Sequence, residues 1–306
     1  MKKSENQFVK YNTIAEVHDS FGLPKPLHPL ISLIDNSQNT VAIPPLPFLH
    51  VLSFYKIVLW TTKNEGWLRY GQNNYDFNEG GMFFGKPGQI LGAQPDSPDH
   101  SGYVLLIHPD FFKSFPLAQT IKDHHFFDYS VNEMLHLSDK EKETVINVFK
   151  NIEDELNNRL DDYTQEVIIA QIELILTYAN RYYKRQFITR KVVNHDILLQ
   201  IEALLEKYFN SEDIVIEGLP TVAYLADQVH LSPNYLGDLL RSLTGQNAQQ
   251  IIHEKLIEKA KEKLSSTNLS VSEIAYELGF EHPQSFSKLF KAKTNMTPIE
   301  YRQGLN

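Results

Sequence analysis

The chain has 306 residues, which is room for two domains, and its apolar fraction of 42% is enough for real hydrophobic cores. It contains no cysteine, which excludes disulfides, iron–sulfur clusters, thiolate metal sites and cysteine nucleophiles and fits a reducing compartment. The net charge of −9 comes entirely from the residues before Gly218, because the remainder holds 9 basic and 9 acidic residues.

The first residues do not resemble a signal peptide, since Lys2 and Lys3 are followed by polar residues and not by an apolar segment. No apolar run in the chain approaches the length needed to span a bilayer. We therefore expect a cytoplasmic protein with no membrane partner.

Residues 28–108 are predicted to be rich in β-strands. Short runs of branched and aromatic residues occur at 30–34, 54–60, 67–70 and 102–107, and turn residues separate them. Many short strands at this spacing favour a small sandwich or barrel. Small-molecule sites have apolar and aromatic walls with a few polar groups. The candidate effector-binding residues in this region are Trp60, Trp67, Arg69, Tyr70 and Tyr103.

The pattern becomes helical after Pro109. Ser138 and Glu141 have the spacing of a capping box, which predicts a helix to about Asn157. Two further helices are predicted over 162–187 and 194–209.

The helix over 162–187 has a broad apolar face, which indicates core packing or a dimer interface. Tyr182 and Tyr183 at its end add aromatic rings of the kind found in interface cores. Residues 211–220 have the composition of a linker. We therefore predict two domains, over 1–212 and 213–306, with the dimerisation face in the first; the sensing role of the first is implied only by the family resemblance described below.

Two copies of a helix-turn-helix pattern follow, at 221–236 and 270–286. Each copy has a small residue, Ala226 or Ala275, where two helices must approach closely, and an apolar residue at the turn. In such a unit the second helix lies in the DNA major groove. One copy alone would be an ordinary helical hairpin, but two copies in one chain favour DNA binding.

Between the two copies, residues 247–264 are predicted to form one continuous helix of about 27 Å. A rigid connection of this length can place two recognition helices in successive major grooves, which lie roughly 34 Å apart. Local clusters of lysines near these helices are expected to favour phosphate. These lysines are Lys255, Lys259, Lys261, Lys263, Lys288, Lys291 and Lys293.

Residues 219–302 resemble the C-terminal domain of the AraC/XylS family of bacterial transcription regulators. The family implies sequence-specific binding to double-stranded promoter DNA, contact with RNA polymerase, and often a homodimer controlled by a small-molecule effector. The matching segments are 231–236, 270–275, 278–280, 286–291 and 297–302.

Two departures from the family pattern bear on function. Asn295 stands near a position where the family usually has glycine, and asparagine tolerates the left-handed backbone conformation needed at such a helix end. In the first recognition helix, the positions that usually project into the groove carry Asn234, Gly237 and Asp238. Glycine reads no base, and an acidic side chain can only accept a hydrogen bond. We therefore expect weak base reading by the first unit.

The second recognition helix is better equipped for base reading, because glutamine suits adenine and lysine suits guanine or phosphate. Two alternatives stay open: Lys288 and Lys291 could only neutralise backbone phosphates, and His282 could only cap the helix before Pro283. The predicted DNA-binding residues are Asn234, Asp238, Arg241, His282, Gln284, Ser285, Lys288 and Lys291.

The N-terminal region resembles the cupin-like sensor domains of many such regulators, through the strand-turn-strand segment 75–88. The His-x-His of metal-dependent cupins is absent from the sequence, and His124 and His125 are adjacent, so we predict no metal and no cofactor. The expected fold is α+β in two domains. A cupin-like β-barrel followed by helices precedes an all-α domain with two helix-turn-helix units joined by a linker helix.

The leading function is a non-enzymatic transcription regulator, an activator with an effector-sensing β-domain. One alternative is a cupin-type enzyme with an appended DNA-binding module, although the chain has no phosphate-binding glycine loop and no nucleophile elbow. A second alternative is a constitutive DNA-binding dimer without an effector.

Overall fold

The structure is a computed structural model that describes residues 8–36, 48–61, 64–70, 73–77, 80–93, 102–130, 133–158, 161–189, 191–211 and 213–304. Only the backbone is described at 48, 64–70, 73–77, 92–93, 191–193 and 213. The chain divides into two compact units, Met1–Gln186 and Phe187–Asn306. None of the described helices is long and apolar enough to cross a membrane.

The strands lie in the first unit. They are β1 (Val9–Tyr11), β2 (Ile31–Asp35), β3 (Phe48–Leu52), β4 (Tyr55–Trp60), β5 (Asn64–Tyr70), β6 (Asn73–Phe77), β7 (Gly81–Gly85), β8 (Ile90–Ala93), β9 (Gly102–Ile107) and β10 (Leu135–His136). The first helices are α1 (Ile14–Ser20), α2 (Leu117–Thr120), α3 (Asp139–Asn157) and α4 (Thr164–Thr189). The remaining helices are α5 (Lys191–Phe209), α6 (Asp213–Glu217), α7 (Val222–Gln228), α8 (Pro233–Thr244), α9 (Ala248–Ser266), α10 (Val271–Glu277), α11 (Pro283–Thr294) and α12 (Pro298–Gln303).

Within the described residues, the strands form a five-stranded sheet in the order β10-β7-β4-β9-β2, a three-stranded sheet in the order β1-β3-β8, and a β5-β6 hairpin. All pairings are antiparallel except that of β1 with β3. The α+β prediction is confirmed. These sheets do not join into a closed barrel over the described ranges, so the cupin-like barrel stays a prediction.

The two larger sheets share an apolar core. Val58 of β4 and Leu106 of β9 belong to the same buried cluster as Leu52 of β3 and Leu91 of β8. Successive strand residues point to opposite faces of a sheet. The face that carries Val58 and Leu106 therefore turns toward the three-stranded sheet, and the intervening residues turn away from it.

The other face of the five-stranded sheet is covered by helices and aromatic side chains. The Tyr103 ring stacks on Phe149 of α3 with ring centroids 5.5 Å apart. The ring centroids of Phe84 and Phe126 are 4.4 Å apart. Tyr183 of α4 stacks on Phe126 at 5.7 Å. Tyr182 and Tyr183 are both buried, so the prediction that they lie in an interface is wrong. The Tyr183 ring packs between α4 and the sheet, against Phe84 and Phe126, whereas the Tyr182 ring stacks on Tyr178 and lies near Glu141 and Thr144 of α3.

The predicted helix starts and ends agree closely with the structure where capping residues define them. At the start of α3, the Glu141 amide donates to the Ser138 hydroxyl at 3.4 Å, and the Ser138 amide donates to the Glu141 carboxylate at 2.9 Å. The helices predicted over 162–187 and 194–209 are α4 and α5. The capping box predicted from Ser138 and Glu141 is confirmed.

The second unit is all-helical and begins earlier than the predicted boundary between 212 and 213. The reason is that α5 buries Ile201 and Leu205 in the same core as the helix-turn-helix helices. The predicted linker also contains α6, whose Ile214 is buried in that core. Apolar residues in the connecting segment thus join it to the second unit.

A pair of Gly→Ala substitutions tests the packing of this unit. Gly279 has φ +80°, and a Cβ there would lie 2.7 Å from the Ile214 carbonyl oxygen. We expect Gly279→Ala to lower the free energy of unfolding by roughly 2–4 kcal/mol, from left-handed strain plus overpacking. Gly237 lies within α8, and a Cβ there would meet nothing within 4 Å. We expect Gly237→Ala to raise the stability by up to about 1 kcal/mol.

Urea unfolding of the two full-length variants, followed by circular dichroism, measures both changes. Equal effects of the two substitutions would contradict the packing of α6 against the Gly279 turn.

Candidate nucleic-acid interface

The two helix-turn-helix units have the same turn. Ala226 and Ala275 are fully buried where the helices of each unit meet. The Leu231 amide donates to the Ala226 carbonyl at 2.9 Å, and the Phe280 amide donates to the Ala275 carbonyl at 3.0 Å. In both turns the residue before this donor has positive φ, which is 57° at His230 and 80° at Gly279.

The ends of the two recognition helices, α8 and α11, also repeat. Gly245 and Asn295 end these helices in the left-handed conformation, with φ of 77° and 61°. Their amides donate to the carbonyls of Arg241 and Lys291 at 3.0 and 2.8 Å. The prediction that Asn295 would take the place of the usual glycine is confirmed. The repeated ends place position 234 in register with 284, 238 with 288 and 241 with 291.

Each recognition helix is followed by another helix with the same cap. Asn247 accepts a hydrogen bond from the Gln250 amide at 2.9 Å, and Thr297 accepts one from the Glu300 amide at 3.2 Å. Both caps are complete capping boxes. The helix after the first unit is α9, which confirms the predicted linker helix and spans about 28 Å at 1.5 Å per residue.

The second recognition helix presents a polar exposed face. Gln284, Ser285, Lys288 and Lys291 are all exposed, while Phe286 and Phe290 of the same helix are fully buried. His282 occupies the N-cap position, but its side chain makes no capping hydrogen bond. His282 therefore holds the N-cap position without capping through its side chain, and whether it contacts DNA stays a prediction. The histidine is exposed at the start of this polar face.

The first recognition helix presents a different face. Asn234 and Arg241 are exposed, and Asp238 is partly buried. The Arg241 guanidinium lies 3.3 Å from the Asp238 carboxylate, so the two charges offset each other. At the two positions that correspond to this ion pair, the second helix-turn-helix unit has Lys288 and Lys291. The structure thus brings the predicted DNA-binding residues together on two similar helices, one with paired charges and one with two lysines.

Most lysines of the predicted cluster on α9 form ion pairs within the compact unit Phe187–Asn306. The Glu206 carboxylate of α5 lies 2.7 Å from the Lys255 ammonium and 2.6 Å from that of Lys259. Lys263 pairs with Glu277 of α10 at 2.7 Å. These three lysines, expected from the sequence to favour phosphate, are thus engaged by carboxylates of the same chain. Sequence reasoning missed Glu206 because its partners lie about fifty positions away along the chain.

These ion pairs perturb the titration of Glu206. Hydrogen bonds from Lys255, Lys259 and Asn210, in that order, lower the pKa of Glu206 to about 2. The same contacts raise the pKa of Lys255 and of Lys259. The carboxylate is 44% exposed, so solvent screens this interaction and limits its contribution to stability. Its structural effect is to hold α5 against α9.

The predicted effector residues are not all on one surface. Trp60 is partly buried on the side of β4 that faces the apolar core between the sheets. Tyr103 lies on the opposite face of the same sheet, against Phe149. The side chains of Trp67, Arg69 and Tyr70 lie outside the described residues. Trp60 and Tyr103 therefore cannot line one pocket.

A cleft of about 250 Å³ lies elsewhere in the first unit, along the edge strand β2. It is lined by His18, Lys25, Ser32 and Glu153 among others. Burial, with the nearby Asp35 and Asp154 carboxylates, raises the pKa of Glu153. Neither Trp60 nor Tyr103 lines this cleft. Among the described side chains, no three His, Asp or Glu converge in a group that could hold a metal.

The comparison with protein families agrees with this geometry. A family model described as a helix-turn-helix domain matches residues 225–304. The HTH-type transcriptional regulator YfiF of Bacillus subtilis (strain 168) is 25% identical over 261 residues, covering 83% of this chain and 78% of YfiF.

The HTH-type transcriptional activator RhaS of Salmonella schwarzengrund (strain CVM19633) is 30% identical over 150 residues, covering 49% of this chain. The match spans about half of RhaS, 51% of its length. Among solved structures, the C-terminal domain of the two-component response regulator yesN from Fusobacterium nucleatum is 30% identical, covering 35% of this chain and 98% of that chain, with a TM-score of 0.31.

The Glu206 contacts predict an acid-sensitive component of stability. The pKa of Glu206 is lower in the folded chain than its ordinary value of 4.5, so the stabilisation is full above that pH and is lost as pH falls toward about 2. We expect Glu206→Gln to destabilise the protein at neutral pH, and its deficit relative to wild type to shrink as pH falls below about 4.5.

Urea unfolding at neutral pH and at about pH 3 measures this difference. Glu202→Gln, on an exposed position of the same helix, is the matched control and should be neutral at both. A pH-independent deficit in Glu206→Gln would rule out the ion pairs as its cause.

Proposed function

We propose that the helix-turn-helix domain of this chain is of the AraC type, and that the protein is a sequence-specific regulator that activates transcription by binding promoter DNA through both helix-turn-helix units. The observation that carries this proposal is the repeated geometry of α8 and α11. Each helix exposes one polar face and is fixed by the same turn and the same left-handed end.

The rigidity of the connection supports binding to two successive major grooves of double-stranded DNA. The apolar side of α9 includes Ile252, Leu256 and Ala260, which are buried in one core with residues of both units. A recognition helix held by such a core cannot reorient independently of its neighbour. Successive grooves lie roughly 34 Å apart, a distance that a helix of about 28 Å and two flanking units can span.

The two helix-turn-helix units are proposed to contribute differently to DNA recognition. In the first helix-turn-helix unit, the Asp238–Arg241 ion pair leaves little net positive charge to attract phosphate. In the second helix-turn-helix unit, Gln284 and Lys288 are exposed on adjacent turns of α11. The positions that correspond to Asp238 and Arg241 hold no acidic side chain. Glutamine can donate to and accept from adenine, and lysine can donate to guanine. We therefore assign most of the base-specific contacts to the second helix-turn-helix unit.

The N-terminal unit is proposed to be a cupin-like sensor that also forms a homodimer. An exposed seam begins at Tyr163, just before α4, and continues along the helix through Val167, Ala170 and Leu174. The 4-3-4 spacing of these residues matches the pattern by which two helices pack side by side. Val167 and Leu174 are 37% and 39% exposed, while Ile168 and Ile172 are buried in the unit itself. The helix thus has one apolar side for the core and a second for a partner.

The proposal of activation includes RNA polymerase as a partner and follows the description of the similar RhaS as a transcriptional activator. A promoter-binding protein with these parts acts where the chromosome is, and we place it in the cytoplasm. A regulator that needs no effector would keep the same operator affinity with every small molecule tested.

The first test concerns base reading. An operator is selected from random duplexes by the full-length protein, and binding is followed by fluorescence anisotropy at fixed salt. We expect Gln284→Ala to cost about 1–3 kcal/mol on the operator and little on unrelated DNA. Asn234→Ala, at the matched position of the first unit, should cost less. Equal losses on operator and unrelated DNA would exclude a base-specific role for Gln284.

The second test concerns the dimer. A charge in the α4 seam would be desolvated in a packed interface, so we expect Leu174→Glu to shift the full-length protein from dimer to monomer at micromolar concentrations. Sedimentation velocity measures the shift. Ile90→Glu, which changes an exposed apolar residue on β8, is the control and should stay dimeric. A wild-type protein that sediments as a monomer would contradict the proposal and leave the seam as ordinary surface.

A further inference from the structure

The two recognition helices differ on one side. The repeated ends of α8 and α11 place Tyr235 in register with Ser285. Tyr235 is buried, whereas Ser285 is exposed. One position earlier, Asn234 and Gln284 are exposed on both helices. The first recognition helix therefore has a covered side where the second recognition helix is open.

An aromatic contact covers this side of α8. The Phe187 ring lies edge-on to the Tyr235 ring, with ring centroids 5.1 Å apart and an angle of 71° between the ring planes. Phe187 is itself buried. Edge-to-face pairs have a preferred geometry and stabilise a structure beyond the burial of their surface. The contact therefore favours one orientation of the Tyr235 ring, and with it one orientation of the helix that carries the ring.

Phe187 lies outside both helix-turn-helix patterns. It is in the last turn of α4 and is the first residue of the compact unit Phe187–Asn306. The buried Asn194 of α5 donates from its side-chain amide to the Phe187 carbonyl at 2.7 Å. The helix α5 also contacts α8 and buries Ile201 and Leu205 in the core of this unit. The backbone at Phe187 is thus held by the same core as the helix that its ring contacts.

The direction of this contact gives it a role that the core alone does not fill. Leu236 and Leu240 hold the axis of α8 in the core shared by the two helix-turn-helix units. Successive residues are about 100° apart around a helix of 3.6 residues per turn, so Tyr235 points to the side of this core contact. A second contact at such an angle restrains rotation of α8 about its own axis. That rotation would change how the exposed Asn234 and Arg241 face the DNA.

We propose that Phe187 is a positioning residue for DNA binding, and that its ring holds α8 at the angle at which the first helix-turn-helix unit meets the DNA. This rests on the proposed DNA-binding function and names a residue outside both helix-turn-helix units that determines part of it. Loss of the ring should disturb the contact of α8 with its half of the operator. The half bound by α11 should be contacted as before.

The test uses the lack of cysteine in the chain, which allows a single cysteine to be labelled. Ser242 and Ala292 are exposed and occupy matched positions of α8 and α11. Ser242→Cys and Ala292→Cys, each in the full-length protein, carry an iron–EDTA group that cuts nearby DNA backbone. The cuts on the selected operator then map each recognition helix separately.

Phe187→Leu is combined with each cysteine variant. We expect the cuts from position 242 to spread or shift and the cuts from position 292 to keep the wild-type pattern. Operator affinity should fall roughly two- to tenfold, which is the worth of one edge-to-face pair expressed as an equilibrium constant. Phe209→Leu makes the same change at another buried phenylalanine of this compact unit, whose ring lies against Tyr208, and should leave both patterns unchanged.

Hydrogen exchange measures the restraint on α8 without DNA. Amide exchange is followed by mass spectrometry in peptides that cover α8 and α11. Phe187→Leu should speed exchange in α8 and leave exchange in α11 unchanged. Tyr235→Leu removes the other ring of the pair, should give the same result, and replaces Phe187→Leu if that variant does not fold. The two substitutions together should cost little more operator affinity than either one alone, because they remove the same contact.

The proposal is overturned if Phe187→Leu leaves the cuts from position 242 unchanged, if it spreads both patterns equally, or if Phe209→Leu has the same selective effect. Unchanged exchange in α8 would also overturn it. A wild-type protein that binds no operator would contradict the proposed regulator instead, and hydrogen exchange would still decide whether Phe187 holds α8.

Discussion

The fold of the compact unit Phe187–Asn306 depends on the burial of one face of α9. Ile252, Leu256 and Ala260 pack in a single core that receives Leu236 from the first helix-turn-helix unit and Phe286 from the second. Because interiors are close-packed, a shift of either recognition helix would open cavities along this shared face. The two polar faces are therefore held at a fixed separation, and DNA has to accommodate that spacing. A flexible connection with the same recognition residues would lose this constraint.

The charges of the second unit are arranged around the same helix. Three lysines of α9 satisfy acidic side chains of α5 and α10, so they fix neighbouring helices and are less available to a phosphate backbone. The second recognition helix retains exposed lysines at 288 and 291, and the corresponding positions of the first hold an ion pair. Phosphate attraction depends on local charge, so the exposed lysines of α11 can favour DNA although the residues from Gly218 onward carry no net charge.

The first unit uses the two faces of one sheet differently. The outer face is covered by aromatic contacts, such as that of Tyr103 with Phe149. The inner face meets a second sheet and carries a lysine among apolar residues.

Local sequence determined the parts of this protein that depend on neighbours within a few residues. The capping box at Ser138, the repeated turns and the left-handed end at Asn295 follow from side-chain and backbone chemistry over three to five positions, and the structure has all of them. Helix periodicity likewise placed α4, α5 and α9. Tertiary structure decided the pairing of Glu206 with lysines about fifty positions away, the placement of Trp60 and Tyr103 on opposite faces, and the burial of Tyr182 and Tyr183. Those outcomes depend on which strands and helices become neighbours, and periodicity shows that a residue faces a core without showing which core or which partner.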